Sequence, residues 1–250
     1  MRAVYEPGAY AISACEARLG MLNDAVRQGA VTLFGDSVTT IEDFGSGLRL
    51  RTRNGHTYTA GAVIITTGPW IGDHLMPELK VYLEPRQVPV YWFTPKRGSE
   101  HLFSHKNFPV FLYEFLDGGL LYGVPSISSS EAGVKIGFHN RQQHSSYPGW
   151  KTLPVAQKSI EEISASVGAV FPNLDCLPAR AKNCFYTMSQ DESFLLGPST
   201  RLSSVYFASA CSGHGFKFAP AIGDALANLA CGNQPKISIS AFSPSRFEVR

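Results

Sequence analysis

The sequence has few charged residues and no strong excess of either sign. Asp, Glu, Lys and Arg make up 17% of its 250 residues, with 22 basic side chains against 20 acidic ones. A protein that neutralises nucleic-acid phosphates presents a strongly basic face, which this composition does not favour. A hydrophobic content of 44% also excludes intrinsic disorder, which requires low hydrophobicity and high net charge.

Cysteine is scarce, and its spacing excludes the common zinc and redox motifs. The five cysteines are Cys15, Cys176, Cys184, Cys211 and Cys231, and no two of them form a Cys-x-x-Cys pair. An odd, widely spaced set favours a reducing compartment over a secreted disulfide framework. No apolar run approaches a membrane span, and the first residues lack the apolar core of a signal peptide. We therefore expect a cytoplasmic protein with neither a nucleic-acid nor a membrane partner.

Periodicity and turn signals predict one helix and several strands in the first part of the chain. The helix is expected over Ala11–Gln28 and is ended by Gly29. Asn54 and Gly55 form a strong hairpin signal, and a short helix after Thr67 should end near Met76 because proline follows. Strands are expected at Val31–Phe34, Val38–Phe44, Leu48–Arg53, His56–Ala60 and Ala62–Thr66.

The second part of the chain is richer in strands, and the predicted fold class is α+β. A helix is expected over Leu153–Phe171 and another over Pro220–Ala230, with strands around Cys184 and over Ser204–Ala210. Further strands separated by Gly, Pro and Ser turns are expected at Val88–Phe93, Pro109–Glu114, Leu120–Val124 and Val134–His139.

The segment Ser212–Phe218 is the most informative for function. Gly213 and Gly215 lie between a predicted strand and a predicted helix, where glycine lets the backbone approach a ligand closely. The N-terminus of the following helix favours an anion, and Lys217 adds a full positive charge. The alternative is an ordinary glycine turn with an exposed His214 and Lys217.

Two other segments carry candidates for chemistry. Lys135, Gly137 and His139 alternate along one predicted strand, so all three face the same side and resemble the floor of a polar cavity. The alternative is a solvated strand face. Cys184 lies beside aromatic residues, where a lone cysteine is either reactive or simply a small buried apolar side chain.

Several motifs in the same order resemble the monomeric sarcosine oxidase family, which includes N-methyltryptophan oxidase and pipecolate oxidase. The resemblance covers nearly the whole chain and corresponds to the C-terminal part of that family. The motifs are Thr67–Trp70, Leu121–Pro125, Val134–His139, Cys184–Thr187, Asp191–Phe194, Ser212–Phe218 and Phe242–Phe247.

The resemblance implies FAD as the cofactor, bound covalently through Cys184. It places Lys135 beside the flavin, where a fixed positive charge assists the reaction of the reduced cofactor with O2. It places His139 and the tyrosines Tyr122 and Tyr186 around the substrate. It also implies further contacts in the glycine motifs, with Lys217 pairing with the substrate carboxylate and with Gly68, Gly213, His214, Gly215 and Phe216 contacting the flavin.

The resemblance also implies a domain arrangement and a reaction. Residues 1–85 are expected to form part of an FAD-binding domain, 86–180 an antiparallel-sheet substrate domain, and 181–250 the return to the FAD domain. The Gly-rich turn that binds the ADP half of FAD is absent, so we expect a truncated or fragmentary member. The implied reaction is oxidation of a small secondary amine or N-methyl amino acid with O2. The alternative is a non-catalytic remnant that acts as a binding module or has no function.

Overall fold

The computed structural model describes residues 3–127, 133–145, 153–209 and 211–248. The described residues divide into two compact units. One unit contains residues 3–30, 87–127, 133–144 and 153–184, and the other contains residues 31–86, 145, 185–209 and 211–248. The architecture is mixed α+β, as predicted, with sheets dominating and helices few.

The described residues contain three α-helices and twelve strands. The helices are α1 (Ala14–Arg27), α2 (Gln157–Val170) and α3 (Ala219–Ala230). The strands are β1 (Val38–Asp43), β2 (Leu48–Thr52), β3 (Thr57–Ala60), β4 (Val63–Ile65), β5 (Leu83–Phe93), β6 (Phe111–Glu114), β7 (Leu120–Val124), β8 (Val134–Phe138), β9 (His144–Ser145), β10 (Arg180–Ser189), β11 (Leu195–Pro198) and β12 (Val205–Ser209). No helix in this described part of the chain is both long and apolar enough to cross a membrane.

The first unit is built on a sheet with strand order β10-β5-β8-β7-β6, and β9 also pairs with β5. The pairs β5/β8, β7/β8 and β6/β7 are antiparallel. The first four residues of β5 and the last five of β10 are assigned to the second unit. Because side chains alternate along a strand, every second residue faces the apolar core and the residues between them face the opposite side of the sheet. The core face holds Tyr91, Phe93, Leu121, Ile136 and Phe138, which pack with Ile163 and Val167 of α2.

The second unit contains two smaller sheets. Strands β1, β2 and β3 form an antiparallel meander joined by the Asn54–Gly55 hairpin. The other sheet has the order β11-β12-β4, with β4 parallel to β12. Its strands contribute Ile65, Leu195 and Phe207 to one apolar core. Packing on this core therefore fixes the position of β12, which precedes the predicted glycine segment in the chain.

Local signals define both ends of helix α1. The Ser13 hydroxyl accepts a hydrogen bond from the Glu16 N–H at 3.4 Å, and Gly29 has a φ of 100° just after the helix. That dihedral lies in the left-handed region that glycine reaches without a steric penalty. The helix is nevertheless shorter than the predicted Ala11–Gln28, and none of its residues is buried.

Three predicted elements are wrong or misplaced. Val31–Phe34 forms no strand, because none of the described strands pairs with it, and an extended segment gains no ladder hydrogen bonds alone. The predicted helix up to Met76 is only a 3-10 turn over Gly68–Trp70 followed by turns. There the chain folds back so closely that a Cβ on Gly72 would lie 3.1 Å from the Lys80 Cα.

The helix predicted over Leu153–Phe171 begins later, at Gln157. The side-chain amide of Asn183 donates hydrogen bonds to the carbonyl oxygens of Leu153 at 2.9 Å and Pro154 at 3.3 Å. These carbonyls are therefore tied to strand β10, and the chain stays extended until Ala156, whose ψ is 140°.

Candidate functional site

One face of the first unit's sheet carries the predicted Lys135 and Tyr122. Strand β8 is paired with β7 so that Tyr122 lies opposite Gly137, and with β5 so that Trp92 lies opposite Lys135. Val134, Ile136 and Phe138 alternate with these residues and belong to the core. The sequence prediction that Lys135 and Gly137 share one strand face is therefore confirmed.

The Tyr122 ring lies directly over Gly137. A Cβ at Gly137 would lie only 3.0 Å from the Tyr122 hydroxyl oxygen and 3.1 Å from its Cζ. Real Cβ atoms rarely come so close, so any larger residue at Gly137 would displace the ring. The glycine thus provides the space in which Tyr122 lies across β8, two residues beyond Lys135.

His139 comes immediately after the last residue of β8. Its backbone N–H donates a hydrogen bond to the Leu120 carbonyl oxygen at 2.9 Å, so the pairing with β7 continues past the strand end. Its side chain is partly buried. Because β8 ends at Phe138, the position of the His139 side chain on the face of Lys135 and Gly137 stays a prediction.

In the second unit, the glycine segment leaves β12 as a tight turn. Gly213 has a φ of 89°, and a Cβ there would lie 2.7 Å from the Tyr186 ring. Both constraints require glycine, since the backbone is left-handed and the tyrosine ring lies against it. The structure therefore places Tyr186 against the turn that the sequence singled out.

The remainder of the glycine segment leads into helix α3. Phe216, Lys217 and Phe218 form a 3-10 turn directly before Ala219, the first residue of that helix. His214 packs edge-on against the buried Phe194, with ring centroids 5.0 Å apart. Gly215 is partly buried, while Gly213, His214, Phe216 and Lys217 are exposed.

Cys184 is half-buried on β10, two residues before Tyr186, and it forms no disulfide with another described cysteine. Gly68 has a φ of 57° and begins the 3-10 turn that ends at Trp70. The Trp70 ring centre lies 6.4 Å from that of Phe185.

The predicted site residues fall into two groups. Lys135, His139, Tyr122 and Cys184 belong to the first unit, while Gly68, Tyr186 and the glycine segment belong to the second.

The comparisons with known proteins define the family. The family model described as FAD dependent oxidoreductase matches residues 1–229 of this chain. The chain belongs to the FAD-dependent oxidoreductase family. Among the relatives, monomeric sarcosine oxidase of Streptomyces avermitilis is 31% identical, over 89% of this chain and 57% of its own length. N-methyl-L-tryptophan oxidase of Yersinia pestis is 32% identical, over 98% of this chain and 63% of its own length.

The solved structures agree on the fold of this FAD-dependent oxidoreductase family member. L-proline dehydrogenase from P. horikoshii superposes with a TM-score of 0.75 at 21% identity, over 94% of this chain and 59% of its own. Identity this low shows a shared fold alone. The chain spans 57% and 63% of the two relatives described above, so it corresponds to somewhat more than half of each.

The second unit offers polar groups that suit a polar cofactor such as FAD. The hydroxyls of Thr187 and Ser209 are buried, with residue exposures of 1% and 2%, and neither finds a hydrogen-bond partner among the described residues. Thr187 lies next to the glycine segment, because its N–H donates to the Cys211 carbonyl oxygen at 2.9 Å, and Ser209 is the last residue of β12. Unsatisfied buried hydroxyls call for a partner. These two hydroxyls are therefore the feature of the second unit that fits a polar ligand.

Sequence reasoning missed two residues near Lys135. Trp92 is paired with Lys135 across β5 and β8, and Arg180 lies against the other residue of that pair, with its Cζ 3.7 Å from the Trp92 ring centre. Neither residue belongs to a sequence motif. The alternation of β5 could have shown which face of the strand Trp92 occupies, but not that Lys135 lies opposite it.

Proposed function

We propose that this chain carries the catalytic part of a flavin-dependent oxidase of small secondary amines, such as sarcosine, pipecolate or another N-methyl amino acid. Family membership supports the FAD-dependent chemistry. The observation that carries the proposal is the sheet face on which Lys135 and Tyr122 lie together, with the Tyr122 ring over Gly137. This arrangement offers a cation and a hydrogen-bonding ring to a small reacting molecule.

The proposed reaction removes two electrons and two protons from the C–N bond of the amine and gives an imine. FAD, when bound, would supply the two-electron acceptor and pass the electrons to O2, which takes up two protons and becomes hydrogen peroxide. Water then hydrolyses the imine. For sarcosine the balance is sarcosine, O2 and water giving glycine, formaldehyde and hydrogen peroxide.

Lys135 is proposed to stabilise negative charge that develops as O2 is reduced. Within the residues that the structure describes, its ammonium forms no ion pair with a carboxylate, so its charge is not cancelled. A fixed cation in place before the charge develops requires no reorganisation during the reaction. Tyr122 and His139 are proposed to orient the amine beside it, and Tyr186 is proposed as a further substrate-binding residue.

Lys217 is proposed to bind the substrate carboxylate. The side chain is exposed, and its ammonium lies 5.4 Å from the Phe218 ring and in no ion pair with a described carboxylate. One solvent-exposed pair contributes only about 0–1 kcal/mol. We therefore expect this chain to bind amino-acid ligands weakly, with dissociation constants of about 1 mM or above.

Cys184 is proposed as the point of covalent attachment to the flavin 8α-methyl group. The bond forms with loss of one hydrogen from the thiol and one from the methyl group. The two electrons pass to O2, which gives hydrogen peroxide. The thiol is half-buried and forms no disulfide with another described cysteine, as such a reaction requires.

The decisive experiment is acid precipitation of the purified, FAD-treated chain. Wild-type protein should stay yellow because the flavin is covalently held, and it should release peroxide with sarcosine or pipecolate. The Cys184→Ala variant should lose its colour on precipitation, whereas Cys231→Ala, a matched change at an exposed cysteine, should keep it. Colour that survives Cys184→Ala would refute the attachment site. A chain with neither flavin nor peroxide would favour the non-catalytic binding module instead.

A further inference from the structure

Trp92 occupies the position beside Lys135 on the sheet. The two residues are directly paired across β5 and β8, and the Lys135 Nζ lies 5.9 Å from the centre of the Trp92 ring. Trp92 is only 6% exposed. An ammonium within about 6 Å of an indole ring is attracted by the negative face of the ring.

A second cation lies against the same ring. The Arg180 Cζ is 3.7 Å from the Trp92 ring centre, which is stacking distance. The two side chains meet because the Ala179 N–H donates to the Trp92 carbonyl oxygen at 2.8 Å, which brings the start of β10 alongside β5. Trp92 therefore lies next to one cation from β8 and another from β10.

Neither cation is neutralised by the part of the chain that the structure describes. Arg141 and Arg246, by contrast, form ion pairs with Asp117 and Asp191, whereas Lys135 and Arg180 form none with a described carboxylate. The indole Nε1 is also buried without a hydrogen-bond partner among the described residues. The ring orientation is thus held by packing and by the stacked guanidinium rather than by a hydrogen bond.

We infer that Trp92 is a positioning residue for Lys135, and that Arg180 fixes the Trp92 ring in place. This inference rests on the proposed function, in which Lys135 acts through its positive charge. A carboxylate could hold the ammonium equally well, but it would cancel the charge that the reaction uses. An aromatic ring restrains the ammonium while its charge remains available.

Competitive acetylation of the lysines, followed by mass spectrometry, tests the positioning role without flavin. In Trp92→Leu the Lys135 ammonium loses its ring, so its acetylation rate should rise at least threefold relative to the exposed Lys158 in the same molecule. Trp92→Phe keeps an aromatic face and should restore most of the protection. Arg180→Gln should give an intermediate increase, while Trp70→Leu, a tryptophan change elsewhere, should give none.

The outcomes separate this inference from the proposed function. An unchanged Lys135 rate in Trp92→Leu, or an equal rise in Trp92→Phe, would overturn the positioning role. In flavin-loaded protein, Trp92→Leu should slow reoxidation by O2 at least tenfold and leave anaerobic reduction by the amine within twofold. A faster acetylation with normal reoxidation would support positioning by Trp92 but refute the proposed role of Lys135.

Discussion

Removal of the Arg246 side chain should destabilise the protein through a single ion pair that joins two distant segments. The guanidinium donates from Nε to Asp191 Oδ2 at 2.7 Å and from Nη2 to Asp191 Oδ1 at 2.9 Å. The Arg246 side chain is 18% exposed and that of Asp191 is 41% exposed. This bidentate pair ties the C-terminal residues to the turn after β10, so Arg246→Met should free that end of the chain.

The magnitude follows from the number of hydrogen bonds and their exposure. Each hydrogen bond to a charged group contributes roughly 1.5–3 kcal/mol when shielded from water. Because the carboxylate is partly solvated, the pair is worth less, and we expect a loss of about 2 kcal/mol. For a chain of this length that corresponds to a fall in Tm of about 4–8 °C. Thermal unfolding followed by circular dichroism measures it.

The pair between Arg27 and Asp24 is a matched control. Its N–O distance is also 2.7 Å, but the two side chains are 77% and 53% exposed on helix α1. Arg27→Met should therefore cost below about 0.5 kcal/mol. An Arg246→Met shift no larger than that of Arg27→Met would refute the reasoning.

The same ion pair predicts a pH dependence of stability. The Arg246 guanidinium, by hydrogen bonding, holds the pKa of Asp191 well below its ordinary value of 3.8. A lowered carboxyl pKa contributes stability above pH 3.8 that is lost as the pH falls through the folded-state pKa. The difference in stability between wild type and Arg246→Met should consequently shrink below pH 3.8. A difference that stays constant with pH would contradict this assignment.

Three further changes have defined outcomes. Gly137→Ala should displace the Tyr122 ring and lower the free energy of unfolding by about 1–3 kcal/mol, measured by urea denaturation, because the new methyl group would lie only 3.0 Å from the Tyr122 hydroxyl oxygen. Lys217→Ala should weaken binding of carboxylate-bearing amines, measured by ligand-observed NMR, and leave neutral amines unaffected. Thr52→Val should raise the pKa of Asp36, measured by carboxyl NMR titration, because a hydrogen bond from Thr52 is the main cause that lowers it to about 2.

Each of these has a control elsewhere in the chain. Gly168→Ala adds a methyl group where nothing lies within 4 Å, so it should not destabilise. Lys236→Ala removes an exposed lysine and should leave ligand binding unchanged. Thr59→Val on β3 should leave the Asp36 titration unaltered. Equal effects in a variant and its control would contradict the corresponding prediction.

The elements that the sequence predicted well are those with strong local signals. The Asn54–Gly55 turn produces the β2–β3 hairpin, because its backbone matches the twist of the paired strands. Strand β7 has the predicted bounds Leu120–Val124, and α3 begins one residue before the predicted Pro220. In each case the information lies within a few neighbouring residues.

Two of the failures have the opposite cause, since they depended on residues far away in the chain. Val31–Phe34 has the composition of a strand but pairs with none of the described strands. The delayed start of α2 comes from Asn183, which binds carbonyls thirty and twenty-nine positions earlier. Propensity and periodicity report on local preference and cannot include such partners.

The candidate site shows the same division between local and tertiary information. The sequence determined the alternation that puts Lys135 and Gly137 on one strand face, and it marked the glycine segment as a turn. Only the tertiary structure decided that the Tyr122 ring fills the space over Gly137, that Tyr186 lies against Gly213, and that Trp92 lies beside Lys135. These contacts arise from strand register and chain folding, which join residues 15 to 43 positions apart, so no local pattern encodes them.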